Sequence, residues 1–177
     1  VSVKEVMLRE VERRVAHAIP SLRRYARTLT NNHSDADDLV QECLEKAWPK
    51  LETVEDRDDL RPWLLKILHN LNVSRWRKLR RLISFDYTRD ERSDAPTQEV
   101  SVECRQMLEA LGQLPEHHRQ VLVLIGIEDL SYSAVASIMD VPLGTVMSRL
   151  SRARTQLRAQ MEKDTVGSPV IPMKKIR

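Results

Sequence analysis

Four glycines in 177 residues leave no Gly-rich loop to cradle a phosphate, and one phenylalanine, with aromatics at 4%, leaves the core to aliphatic side chains. The two cysteines, Cys43 and Cys104, lie far apart and form no CxxC or Cys/His ligand pattern, so reduced thiols are expected rather than a disulfide framework or zinc site. The adjacent His117 and His118 point to different sides of a helix, a poor arrangement for a shared metal. No apolar run is long enough to span a bilayer, and the N-terminus lacks the apolar core of a signal peptide. A cytoplasmic protein without membrane insertion, metal or cofactor is expected. There is no internal repeat.

What remains is rich in helix formers, so the expected fold class is all-α, in one domain or two small ones. The formal charge is only +3, but it is segregated. Asp35 to Asp59 holds ten acidic and three basic residues, whereas Arg61 to Arg81 holds seven basic and no acidic residues. Blocks of opposite sign suit different partners on different faces.

The stretch from Leu130 to Arg158 reads as helix, break, helix. Ser131 is a plausible N-cap, and Val135, Ala136 and Met139 share one side of the first helix. Asp140, Val141 and Pro142 interrupt the pattern; Pro142 lacks an N–H and disfavours helical geometry in the residue before it. Val146, Leu150, Ala153 and Leu157 then form one apolar stripe, with Thr145, Ser148, Arg149 and Arg152 opposite. Hydroxyls and arginines on an exposed helix can enter a major groove and meet bases and phosphates. An ordinary amphipathic helix pair would share this periodicity, but Thr145 to Arg158 carries four basic residues and no acidic one, which favours DNA.

The rest divides into a first helical domain, residues 1–82, a polar linker, 83–100, a second helical domain, 101–163, and a tail, 164–177, expected to be disordered. The opening helix carries Met7, Val11, Val15 and Ala18; Pro20 punctuates it, and a second segment continues through Leu22, Tyr25, Ala26 and Leu29. Ser34 followed by Asp37 resembles a capping box. It starts a helix with the stripe Ala36, Leu39, Val40, Cys43, Leu44, Ala47 and Trp48 and the outer face Asp38, Gln41, Glu42 and Glu45, closed by Pro49. A polar loop, Lys50 to Asp59, leads to a basic helix from Pro62 to about Arg81. Leu64, Leu68 and Leu71 are its buried stripe; Asn70, Ser74, Arg77 and Arg81 form another face. Amides and hydroxyls beside cations suit nucleic acid. Trp63 is expected in the core; Trp76 is open between packing and stacking on a base. In the second domain, Val121, Leu122, Leu124 and Ile125 follow Pro115.

Four stretches in this order, DADDLVQECLEKAW, RPWLLKILHNLNVSRWRKLRR, LPEHHRQVLVL and PLGTVMSRLSRARTQL, resemble the extracytoplasmic-function sigma factors of bacterial RNA polymerase, over about Val11 to Gln160. The resemblance implies a sigma region 2 domain and a sigma region 4 domain. It implies that the D-x-x-Q-E pattern, here Asp38, Gln41 and Glu42 with Glu45 beside it, docks on the clamp helices of the β′ subunit. It implies −10 promoter capture by Asn70 and Ser74, with Arg75, Arg77 and Lys78 on phosphates. The acidic linker would thread toward the active-site cleft and RNA exit path, and the helix near Pro115 would meet the β flap. The −35 element would be read through Thr145, Met147, Ser148, Arg149, Ser151 and Arg152. An anti-sigma protein is an implied partner, and no homo-oligomer is expected. Three positions depart from common patterns in the family: Met147 stands where many relatives carry Lys or Arg, Asp140 where Gly is frequent, and Ser74 where a second Asn can occur.

The expected function is therefore a promoter-specificity factor that initiates transcription of a stress or signal regulon. A mimic of the fold that sequesters an anti-sigma factor is the runner-up, though it has no need of basic faces. A dimeric helix-turn-helix repressor, reading half-sites about 34 Å apart, would leave the first domain's basic helix unexplained. No enzyme is expected: Asp35, Asp37 and Asp38 are explained by the favourable field at a helix N-terminus.

Overall fold

The computed structural model describes residues 3–30, 32–53, 59–82 and 102–166, and no strand occurs among them. Seven helices follow in chain order: α1 (Val3–Leu29), α2 (His33–Ala47), α3 (Arg61–Leu82), α4 (Val102–Gln113), α5 (Glu116–Leu122), α6 (Tyr132–Met139) and α7 (Leu143–Val166). A 3-10 turn, Trp48–Thr53, follows α2, and a π-helical turn, Val123–Ile127, extends α5. The expected linker lies outside the described residues, as does the tail beyond Val166. Asp164 to Val166, read from sequence as tail, continue α7.

α1, α2 and α3 pack together as the first domain, and α4 to α7 form the second. The apolar stripes meet as their spacing predicts: Leu22, Tyr25 and Ala26 of α1, Leu39 and Cys43 of α2, and Leu64, Leu65 and Leu68 of α3 are all fully buried. In the second domain Val121, Leu124, Val135, Ile138, Val146 and Ala153 are buried in the same way. Trp63 packs against the core, as expected. The two domains also pack on each other: α3 lies against α6 and α1 against α5, so one apolar core runs through both.

Three local expectations are corrected. Pro20 does not divide the first helix; α1 is continuous through it. Proline removes the N–H that would bond the Ala16 carbonyl, but Ala16 and Pro20 both face solvent, which can satisfy that carbonyl. Buried residues on either side of Pro20, from Val15 to Leu29, hold both halves on one core. The cap of α2 is Asn32 rather than Ser34: the Asn32 side chain accepts from the Asp35 N–H at 2.7 Å, and its amide donates to the Asp35 carboxylate at 3.0 Å. Asn caps as well as Ser does, and here it stands one residue before the first helical position. Trp48 leaves the buried stripe and is 51% exposed. The tighter 3-10 twist that begins at this residue rotates it away from the core, and it occupies part of the expected polar loop.

The helix-turn-helix forms as its residues predict. The Ser131 hydroxyl accepts from the Ala134 N–H at 3.2 Å. Asp140 ends α6 in the left-handed region, at φ 53° and ψ 50°. Outside Gly, Asp is one of the few residues that adopt it at modest cost. The Pro142 carbonyl receives the first amides of α7, from Thr145 at 2.9 Å and Val146 at 3.2 Å.

Candidate nucleic-acid interface

α7 presents one polar face to solvent because its apolar stripe is anchored. Val146, Leu150 and Ala153 are buried against the second domain, and Leu157 is half-buried. Met147, Ser148, Ser151 and Arg152 are thereby turned to solvent, with Thr145 and Arg149 half-buried at the edge. The Ser148 hydroxyl donates to the Thr145 carbonyl at 3.0 Å, which leaves its oxygen able to accept. Met147 is exposed and adds apolar surface to this face.

On α3, Asn70, Ser74, Arg75, Arg77 and Lys78 are all exposed. Trp76 is half-buried, and the side chain of Arg81 lies outside the described residues. Asn70 and Ser74 line a cavity of about 230 Å³ with Lys46, Lys50, Ile67 and Leu71. Ile67 and Leu71 contribute apolar lining, the amide and hydroxyl can hydrogen-bond, and Lys46 and Lys50 add positive charge. This combination suits an unstacked base with its phosphate. Lys46 and Lys50 were not singled out in the sequence, since they stand within the acidic block.

On α2, Asp38, Gln41 and Glu45 are exposed, and the Gln41 amide donates to Glu45 at 2.9 Å. Glu42 is half-buried and accepts both Nε and Nη2 of Arg75, at 2.9 and 2.6 Å. The acidic face of α2 and the basic face of α3 therefore touch through this pair. Exposed pairs of this kind contribute roughly 0–1 kcal/mol, so either partner is readily drawn away by a stronger ligand.

Beneath these faces several core polar groups are paired. The Tyr25 hydroxyl and His69 Nδ1, both buried, share a hydrogen bond of 2.9 Å. Burial, with the charge of Arg149, holds the His69 imidazole below its ordinary value. The Cys43 thiol donates to the Leu64 carbonyl, and burial pushes it up to about 12, so it is inert packing rather than a reactive group. His118 Nδ1 meets the Gln156 amide oxygen at 2.7 Å. Among the described residues no cluster of ligating side chains could hold a metal, and no helix is long and apolar enough to cross a membrane.

Two helical domains, one carrying a helix-turn-helix and the other a basic helix beside a small cavity, define a protein of the sigma-70 type. The family described as the Sigma2 domain of PhyR matches residues 15–69, and Sigma-70, region 4, matches residues 104–157. The chain is 37% identical over 150 residues to the ECF RNA polymerase sigma factor EcfG of Rhodopseudomonas palustris, covering 83% of this chain and 82% of that protein. The solved sigma factor RpoE, in complex with the anti-sigma factor NepR from Bartonella quintana, is similar at a TM-score of 0.73 and 32% identity, covering 88% of this chain and 98% of RpoE. CnrH, solved with the cytosolic domain of CnrY, is similar at a TM-score of 0.63 and 26% identity, covering 89% and 90% of the two chains. The chain belongs to the extracytoplasmic-function sigma factors, the family that directs transcription initiation by bacterial RNA polymerase.

Proposed function

We propose that this sigma factor docks on the β′ clamp helices through Asp38, Gln41, Glu42 and Glu45, captures the −10 element with α3 and reads the −35 element with α7. The observation that carries the reading is the outward face of α7, held by a buried stripe at helical spacing. Thr145, Ser148, Arg149, Ser151 and Arg152 present donors and acceptors for base edges and cations for phosphates, with Met147 as an apolar contact. In the first domain Asn70 and Ser74 hold an unstacked base over Ile67 and Leu71, while Arg75, Arg77 and Lys78 neutralise phosphates. Captured bases offset the unstacking cost of a few kcal/mol, which drives melting. Each domain binds weakly alone; polymerase tethers both and makes the pair avid. The helix beginning near Pro115 meets the β flap.

An anti-sigma protein is the proposed regulator. The similar RpoE is solved in complex with the anti-sigma factor NepR, and the similar CnrH in complex with the cytosolic domain of CnrY. The compartment is the cytoplasm, where polymerase and promoter are, and the chain needs no catalytic group of its own.

Run-off transcription with bacterial core polymerase on a promoter library tests this reading. Promoters with two spaced motifs should be enriched, and Arg149→Ala with Arg152→Ala should abolish −35-dependent product. Unaltered transcription by the double variant would overturn the assignment of α7. The mimic reading has one observation in its favour: residues 15–69 match the family described from PhyR, a protein solved as an anti-anti-sigma factor bound to NepR. The exposed basic faces of α3 and α7 favour the factor, and a mimic would give no promoter-directed product in the same assay.

A further inference from the structure

The two DNA-reading domains lie against each other. The first helix of the helix-turn-helix, α6, packs on α3, and Lys66 of α3 donates to the Ser137 hydroxyl of α6 at 3.1 Å. Arg149 of α7 is close enough to His69 of α3 to disfavour its protonation. The −10 and −35 elements are separated by about 25 base pairs, roughly 85 Å of duplex at ~3.4 Å per pair. Domains in direct contact cannot occupy both. This arrangement must open before a promoter is bound as proposed above.

One buried charge sits at the seam. Glu128 of the second domain is 1% exposed and receives a two-pronged pair from Arg24 of α1, Nε at 2.7 Å and Nη2 at 2.9 Å. Arg24 also donates to Ser21, itself a hydrogen-bond partner of Glu128. Arg61, at the start of α3, donates to the Glu128 carbonyl at 3.4 Å while its guanidinium is gripped by Asp59 at 2.8 Å. Arg119 of α5 crosses the other way and donates to the Thr28 carbonyl at 2.9 Å. Burial alone would raise the Glu128 carboxyl; the hydrogen bonds and charges of Arg24, Ser21 and Arg61 outweigh it and keep the group ionised. The π-helical turn, closed by the Glu128 N–H on the Val123 carbonyl at 3.0 Å, and the left-handed Asp129 after it set Glu128 at the seam.

We propose that Glu128 is an electrostatic latch that holds the free sigma factor closed through Arg24 and Arg61, and that docking on core polymerase releases it. The latch rests on the promoter reading above. A charged pair suits this task better than an apolar one. Desolvation offsets much of its attraction, and the separated charges regain water on opening, so the seam is specific without being permanent. Arg24 is 45% exposed, so salt reaches the pair and weakens it.

The test uses the full chain. Glu128→Gln keeps the shape and removes the charge. By the strength of hydrogen bonds to charged groups, discounted for the half-exposed Arg24, the closed-to-open ratio should fall by about 10-fold. Small-angle X-ray scattering should show a larger radius of gyration for Glu128→Gln at unchanged helicity by circular dichroism. Arg24→Gln should do the same, and 0.5 M NaCl should expand the wild type toward both. Reversing the pair, Arg24→Glu with Glu128→Arg, should restore compactness. Affinity for core polymerase should rise several-fold in both single variants. Wild-type scattering from both single variants would overturn the latch, as would expansion without any gain in polymerase affinity. The scattering needs neither polymerase nor promoter. A compact, salt-sensitive wild type that gives no promoter-directed product would therefore sink the function and not the seam.

Discussion

Replacing Tyr25 by Phe removes one buried hydroxyl and nothing else of size. The ring of Tyr25 is fully buried where α1 packs on α3, and its hydroxyl bonds to His69 Nδ1 at 2.9 Å. His69 is itself buried, so in Tyr25→Phe its nitrogen loses its partner in a site closed to solvent. Leaving such a group unsatisfied costs about 1–3 kcal/mol. His69→Leu strands the hydroxyl instead and should cost a similar amount. Removing both partners leaves an apolar contact, so the double variant should lose less than the sum of the singles by about 1–3 kcal/mol. Urea unfolding monitored by circular dichroism measures the cycle, and thermal midpoints should fall by about 2–4 °C per kcal/mol for a chain of this size. The pH dependence supplies a second reading. His69 is held below its ordinary value of 6.5, chiefly by burial. The unfolded chain therefore binds the proton first as pH falls, so stability is full above about 6.5 and declines as pH drops toward the folded value. His69→Leu should flatten that part of the profile. A coupling energy near zero, or an unchanged slope between pH 7 and 5 in His69→Leu, would refute the account of this pair.

Ser131→Ala should destabilise the helix-turn-helix by about 0.5–2 kcal/mol, because the Ala134 N–H loses its cap; hydrogen exchange at the start of α6 would report it. Asp140→Val should cost about 1–2 kcal/mol in chemical denaturation, since a β-branched residue is forced to φ 53°. Arg152→Ala should weaken promoter binding by the polymerase complex and reduce the salt slope by about one if the side chain holds a phosphate, measured as log affinity against log salt. Native protein should leave Cys43 unmodified by iodoacetamide at pH 8, because burial holds the thiol at about 12.

Most of the helices could be read from the sequence because the signals that make a helix are local. Apolar residues three or four apart gave the buried faces of α2, α3 and α7, and the structure buries Leu39, Leu64, Leu68, Val146 and Leu150 accordingly. Ser131 and Asp140 marked the ends of α6 through capping chemistry that depends only on neighbouring backbone. The order of the four motifs carried the family. Local signals also misled where two competed. At Pro20 the chain's core contacts outweighed one missing hydrogen bond, and at α2 Asn32 took the cap that Ser34 could have filled.

The meeting of the domains was decided by the tertiary structure alone. Glu128 and Arg24 stand 104 residues apart, and nothing in their spacing marks them as partners. Arg75 reads as a phosphate contact and Glu42 as a polymerase contact until packing of α2 on α3 brings them to 2.6 Å. Lys46 and Lys50 come to line one cavity with Asn70 only once α2 and the turn after it pack on α3. Helical periodicity fixes which way a side chain points from its own axis. Which charge it then faces depends on how the axes pack, and that is set by the fit of whole apolar faces rather than by any short run of residues.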